Sequence, residues 1–275
     1  MDEIRSAAND RVKTIARLQR DAGFRRRVGL TVLEGRREVE RALENGWLPT
    51  EVYVSPDLGG DGVAEAHCLA ERLGVPVVVV AVEPFRKMSY REGPDGVLAV
   101  GPAPGRRLDD LRTLPTSLFL VAERVEKPGN LGALLRTADG AGADGVILCD
   151  PAADLGNPNV LRASLGTAFF LPLATATTAE TAAWLRSRGV RLVVTSPEAR
   201  SSYVDVDLKG SVAIAVGAED AGLSSDLLAA GDVVVRIPML GRNDSLNVSA
   251  AAAVLLYEAV RQRSGGKMKE SGPHA

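Results

Sequence analysis

Five short, almost uninterrupted apolar runs recur from residue 117 onward: SLFLVA (117–122), DGVILCD (144–150), VRLVVTS (190–196), SVAIAVG (211–217) and DVVVRIP (232–238). Runs this short are strand-length, and a strand apolar on both sides must be covered on both faces. Helix-period segments separate them: LGALLRTADGAG, AETAAWLRSRG (179–189), and a long segment from about 246 to 263. Buried strands alternating with helices predict a mostly parallel sheet with helices on both sides, an α/β architecture.

The first hundred residues carry a separate α/β alternation. Residues 11–27, RVKTIARLQRDAGFRRR, hold seven basic residues against one acid, Asp21. Val12, Ile15 and Leu18 recur at helical spacing, so an amphipathic helix is expected, with Arg11, Lys13, Arg17 and Arg20 outward and Gly23 ending it. GLTVLEG reads as a strand and RREVERALENG as a helix. EVYVS (51–55) is a strand, 64–74 a helix and VPVVVVAV (75–82) a buried strand. The aperiodic, Pro- and Gly-rich GPAPGRR (101–107) predicts a linker between a domain at 1–100 and one at 108–264, with a flexible tail at 265–275. A length of 275 residues suits two modest domains.

Several function classes are excluded early. Cys68 and Cys149 are too few for a disulfide framework, and His67 and His274 too few for a metal cluster, so no metal is expected. A Ser-His-Asp triad would have to rest on His67. MDEIRSAANDR has no apolar stretch, so no signal peptide is expected there, and no run reaches the ~18 residues of a membrane span. A cytoplasmic location is expected. The formal net charge of -2, from 33 Lys+Arg against 35 Asp+Glu, argues against a uniformly basic nucleic-acid binder but leaves room for the local excess at 11–27.

Three loops combine strand ends, helix starts and polar residues. EKPGNLGALLRTADGAGA (126–143) has a Pro128-Gly129 turn, Asn130 as expected helix N-cap, and an apolar stripe of Leu131, Leu134, Leu135 and Ala138 that leaves Arg136 off it. In VGAEDAGLS (216–224), Gly217 follows an apolar strand and Glu219 is an acid in the loop. In IPMLGRNDSLNVSAAAAVLLYEAVR (237–261), a polar loop runs into Ser245-Leu246-Asn247, which opens a helix with Ala250, Ala253, Val254 and Tyr257 on one face. Each loop alone also reads as ordinary helix capping. No GxGxxG follows a strand, and neither a P-loop nor a GxSxG elbow is present.

The ordered trio PGNLGALLRTADGAGADGVIL, VGAEDAGLS and IPMLGRNDSLNVSAAAAVLLYEA strongly resembles the SpoU (TrmH) family of RNA ribose 2′-O-methyltransferases, over residues 117–262. The stretch with VKTIARLQR, TVLEGRREVERALENGW and EVYVS resembles, more loosely, the small substrate-binding module of the ribosomal-RNA branch. The resemblance implies an L30e-like N-terminal RNA-binding domain and a C-terminal α/β trefoil-knot SPOUT domain. It further implies S-adenosylmethionine as cofactor, a homodimer, and an RNA substrate, with 23S rRNA favoured. Asn130, Arg136, Glu219, Ser245 and Asn247 carry over as active-site residues. Thr195, Gly217, Ile237, Met239 and Leu246 carry over as cofactor-binding residues. Some relatives of this layout protect antibiotic producers by methylating a drug-binding nucleotide.

Arg136 is the family's proposed base, yet arginine stays protonated in nearly all proteins. Its expected role is therefore to hold the target phosphate and stabilise developing alkoxide charge, with the proton passing to phosphate, to water or to Arg136 itself. RNA contacts are expected from Arg11, Lys13, Arg17, Arg20, Arg25, Arg26, Arg27, Arg36, Arg37 and Arg162. The competing readings are a transfer-RNA ribose methylase, a catalytically silent RNA-binding relative, and a Rossmann-like oxidoreductase, which the missing glycine fingerprint disfavours.

Overall fold

The structure is a computed structural model that describes residues 3–151 and 153–264. The expected tail at 265–275 lies outside the described residues. Along the chain the elements are β1 (Glu3–Ile4), α1 (Asp10–Arg20), α2 (Ala22–Val28), β2 (Leu30–Glu34), α3 (Arg36–Glu44), β3 (Glu51–Val54), α4 (Pro56–Gly59), α5 (Asp61–Arg72), β4 (Val77–Val80), α6 (Val82–Met88) and β5 (Val97–Pro102). They continue with β6 (Leu118–Glu123), α7 (Pro128–Gly140), β7 (Gly145–Cys149), α8 (Pro158–Ser164), β8 (Leu173–Ala176), α9 (Thr178–Ser187), β9 (Arg191–Thr195), β10 (Ser201–Ser202), β11 (Val212–Val216), α10 (Ser225–Ala230), β12 (Val233–Arg236) and α11 (Val248–Arg263). The chain forms two compact units: Met1–Gly105 with Asp154–Phe170, and Arg106–Ala153 with Leu171–Ala275.

The first unit is built on a five-stranded sheet in the order β1-β4-β3-β5-β2. Its β5 runs antiparallel to both β2 and β3, whereas β1, β3 and β4 are parallel. Val12, Ile15 and Leu18 of α1 pack with Val32, Tyr53, Phe85 and Leu98, so the helical spacing did define a buried stripe. The helix does not run through to Gly23. It stops at Arg20, and Asp21 Oδ1 accepts the Phe24 N–H at 2.8 Å to start α2, which contains Gly23 and ends at Gly29 with φ +67°. A side-chain cap outweighed the mid-segment glycine as a boundary signal.

Residues 101–107 are not a free linker. Gly101 and Pro102 complete β5, and a Cβ on Gly101 would lie 2.6 Å from Pro49 Cα. Arg106 N–H donates to Leu173 O at 2.7 Å, in the second unit. A further departure is Asp154–Phe170, which the sequence places inside 108–264 but which belongs to the first unit. Arg25 holds it there: Nε donates to Asp154 Oδ2 at 2.9 Å and Nη1 to Leu18 O at 2.5 Å. Thr31 Oγ1 donates to Gly156 O at 3.0 Å, and the Trp47 and Phe169 rings lie 4.2 Å apart.

The second unit is a seven-stranded sheet in the order β10-β12-β9-β11-β6-β7-β8, and every pairing is parallel. Phe119, Val121, Ile147, Val194, Ala213 and Ala215 form its core with Trp184 and Leu185 of α9. From β6 the chain builds outward through β7 and β8, then returns to build the other half from β9. The order therefore reverses between β6 and β11, and ligand sites in such sheets lie beyond the strand carboxyl ends at that reversal. α11 buries Val248, Ala252, Leu255, Leu256 and Ala259. Of the face named from the sequence, Ala253 and Val254 are half-buried and Ala250 and Tyr257 exposed, with Tyr257 Oη donating to Gly140 O at the end of α7 at 3.0 Å. No helix among the described residues is long and apolar enough to cross a membrane.

Candidate active site

The loop after β11 is folded tightly on itself. A Cβ on Gly217 would lie 2.2 Å from the Gly222 carbonyl, so only glycine fits there. Gly222 N–H donates to Ala218 O at 2.9 Å, and Gly222 has φ +65°, a conformation glycine adopts without strain. This turn lifts Glu219 toward the first turn of α7. Lys127 is the residue before that helix, and Pro128 occupies its first position. Asn130 is thus inside the first turn and not the N-cap, which leaves its side chain available for other partners.

Asn130 Nδ2 donates to Glu219 Oε1 at 2.6 Å. Asn247, the N-cap of α11, donates from Nδ2 to the same Oε1 at 2.7 Å and to Asn130 Oδ1 at 3.2 Å. Its Oδ1 accepts from Ser249 N and Oγ at 3.0 and 2.6 Å, so both ends of the Asn247 amide are fixed. Lys127 Nζ pairs with Glu219 Oε2. The Lys127 ammonium, followed by the Asn130 and Asn247 amides, holds the Glu219 carboxyl below its usual range. Three of the five expected active-site residues therefore share one network. Arg136 and Ser245 stand outside it. Arg136 is exposed on α7 with no hydrogen bond or ion pair among the described residues, and Ser245 Oγ donates only to Asp244 Oδ1, at 3.3 Å.

Beside this network is a cleft of about 740 Å³, within the range of small-molecule sites. Thr195, Gly217, Ile237, Met239 and Leu246, the five residues expected at a cofactor, all line it. The backbone cradle at Gly217 and the apolar Ile237, Met239 and Leu246 suit a nucleoside-bearing ligand held by main chain and apolar contacts. No group of His, Cys, Asp and Glu among the described residues could hold a metal ion.

Two residues escaped the sequence reading. Lys127 directly precedes the Pro128-Gly129 turn and carries no sequence signal of its own. Glu123, an acid ending the apolar strand β6, is fully buried. Its carboxyl accepts from Ser224 N and Oγ, both at 2.6 Å, and from Thr178 Oγ1 at 2.7 Å. An acid closing an otherwise continuous apolar strand was the available signal, because such a group must find partners inside.

Most of the basic residues named from the sequence in the first unit lie at the surface. Arg20, Arg26, Arg37 and Arg162 are exposed, the last with Nη2 donating to Asn159 Oδ1 at 3.2 Å. Arg11, Lys13, Arg17 and Arg36 are paired with Glu51, Asp10, Asp21 and Glu65 at the surface, and Arg17 and Arg27 also sit over the Phe24 ring. Arg25 is the exception. Its side chain is 5 % exposed and spent on Asp154, so it is a structural residue and not a phosphate contact.

The SpoU rRNA Methylase family matches residues 117–257, and the MRM3-like substrate binding domain matches residues 9–99. The chain belongs to the SpoU rRNA methylase family. It is 30 % identical to the 23S rRNA (guanosine(2553)-2′-O)-methyltransferase RlmP of Bacillus subtilis, over 94 % of this chain and 98 % of that one. It is 33 % identical to the 23S rRNA (uridine(2479)-2′-O)-methyltransferase of Streptomyces viridochromogenes, over 88 % and 86 %. The AdoMet-bound rRNA methyltransferase of Sinorhizobium meliloti superposes with a TM-score of 0.84 at 31 % identity, over 94 % of this chain and 97 % of that one. SpoU methylases use S-adenosylmethionine, and the cleft beside Glu219 fits that cofactor in size and lining.

Proposed function

We propose that this protein methylates a ribose 2′-hydroxyl in 23S rRNA, using the side chains of Asn130, Arg136, Glu219, Ser245 and Asn247. The observation that carries this reading is the Asn130–Glu219–Asn247 network, which sits next to a cleft lined by all five expected cofactor residues. S-adenosylmethionine supplies an electrophilic methyl group when bound there. The protein's task is to place the hydroxyl oxygen in line with the bond that breaks and to manage its proton.

Glu219 is poorly suited to take that proton, because Lys127, Asn130 and Asn247 already occupy both of its oxygens. Its role is to aim the two amides. Arg136, cationic and exposed on α7, holds the target phosphate and stabilises the alkoxide as it develops, while the proton leaves to that phosphate or to water. The Ser245 hydroxyl orients the ribose. The exposed basic residues of the first unit bind RNA phosphates, in keeping with the substrate-binding family matched there. The working form is a homodimer, which sedimentation tests directly.

The deciding experiment measures transfer of labelled methyl to a 23S rRNA transcript. Arg136→Ala is expected to lower kcat by roughly 100- to 1000-fold with cofactor affinity unchanged. Near-normal turnover by that variant removes Arg136 from the mechanism. Wild-type labelling of transfer RNA with none of 23S rRNA overturns the substrate.

A further inference from the structure

We propose that Lys127 is a positioning residue for methyl transfer: its ammonium claims Oε2 of Glu219, so that Oε1 alone collects the amides of Asn130 and Asn247. This inference rests on the functional reading above, but its structural half can be tested without turnover.

The argument is one of donors and acceptors. Asn130 Nδ2 and Asn247 Nδ2 both donate to Oε1, at 2.6 and 2.7 Å, while Lys127 Nζ donates to Oε2. Asn247 is locked further by Ser249 on its Oδ1. Asn130 has no such second lock. Its amide is oriented only by Glu219 and by the 3.2 Å bond from Asn247, so its direction depends on where Glu219 points. Without Lys127, Oε2 has no partner among the described residues and the carboxyl can rotate, carrying Asn130 with it.

Lys127 is tied to the site by more than charge. It immediately precedes Pro128, so its backbone is the entry to α7, the helix that also carries Asn130 and Arg136. One side chain thereby links the start of that helix to the loop after β11. The Lys127 side chain is 68 % exposed, so the pair contributes little to stability and its loss should leave the fold intact. Besides the pair itself, Asp220 in the same loop and Glu126 before Lys127 act on the Lys127 ammonium, and Asp220, Asp244 from the loop before α11 and Arg236 from the end of β12 line the same cleft as Glu219. Lys127 is the cation bonded to Glu219, and it lowers the carboxyl's affinity for protons.

The test compares Lys127→Met and Lys127→Arg with wild type. Lys127→Met is expected to lower kcat roughly 10- to 100-fold, with Tm and cofactor affinity unchanged. The acid limb of its pH–rate profile should move to higher pH, because Glu219 then protonates more easily. Lys127→Arg should restore both the rate and the limb. Independently of turnover, the Asn130 side-chain amide protons should exchange with solvent faster in Lys127→Met by NMR. An unmoved acid limb with unchanged Asn130 exchange overturns the proposal. If wild type methylates no 23S rRNA, the functional reading fails, and the exchange measurement alone decides whether Lys127 positions Asn130.

Discussion

Two carboxyl groups hold the loop between β11 and α10, one from each side. Glu219 sits within it, partly open to solvent, and is met by a lysine and two amides. Glu123 lies beneath it, fully buried at the end of β6, and is met by Ser224, where the loop becomes α10, and by Thr178. Both are satisfied, yet the physics differs. In the interior, a carboxyl that loses its partners, or donors that lose their carboxyl, cannot turn to water, so the cost falls on folding. At the surface, water replaces any lost partner, so the cost falls on geometry and therefore on rate. The same residue type anchors the loop in one place and aims it in the other.

The sharpest way to break this comparison is Glu123→Ala. It leaves the Ser224 N–H and hydroxyl without their acceptor, while the Thr178 hydroxyl keeps only Asp150 Oδ2, at 2.9 Å. The expected loss is about 3 kcal/mol, read by denaturation as a drop in Tm of roughly 6–12 °C. A Tm within a degree or two of wild type would show the cluster to be replaceable by water. Next is Glu219→Gln, expected to slow methyl transfer about 100-fold, a barrier increase of about 2.7 kcal/mol, while Tm stays constant. A large fall in Tm would place Glu219 with Glu123 as an anchor. The smallest effect is expected from Ser224→Ala. It removes one bond to Glu123 and the cap on α10, where Ser224 Oγ accepts the Leu227 N–H at 3.2 Å, for about 1 kcal/mol. Cys149 offers a local reporter, since burial pushes its thiol up to about 12 and keeps it unreactive. Its alkylation should quicken in Ser224→Ala if the cluster opens, with turnover largely kept.

The same contrast marks what was legible in the sequence. The strands of the parallel sheet and the three polar loops were readable, because continuous apolar runs and turn residues act locally. Asn130, Glu219 and Asn247 could be named from motif order, although 89 residues separate the first two in the chain. Partnerships that depend on the third dimension were not readable. Arg25, Arg26 and Arg27 are identical as text, but a helix cannot turn three consecutive side chains the same way, and Arg25 faces inward to Asp154. Asn130 looked like a cap because Asn usually caps, whereas the helix starts at Pro128. The segment 154–170 carries no periodic signal that it leaves the unit on either side of it.

That segment has a consequence for modularity. The unit carrying the exposed arginines is encoded in two stretches, 1–105 and 154–170, with a β-α-β stretch of the other unit between them. A recombination event that exchanges only the first stretch would bring in an arginine at position 25 without the aspartate that neutralises it. It would also leave the Thr31 hydroxyl and the Trp47 ring facing a foreign partner. The first unit can therefore be traded between relatives only as a matched pair of fragments, so changes to it are inherited as coupled changes at two distant places in the gene.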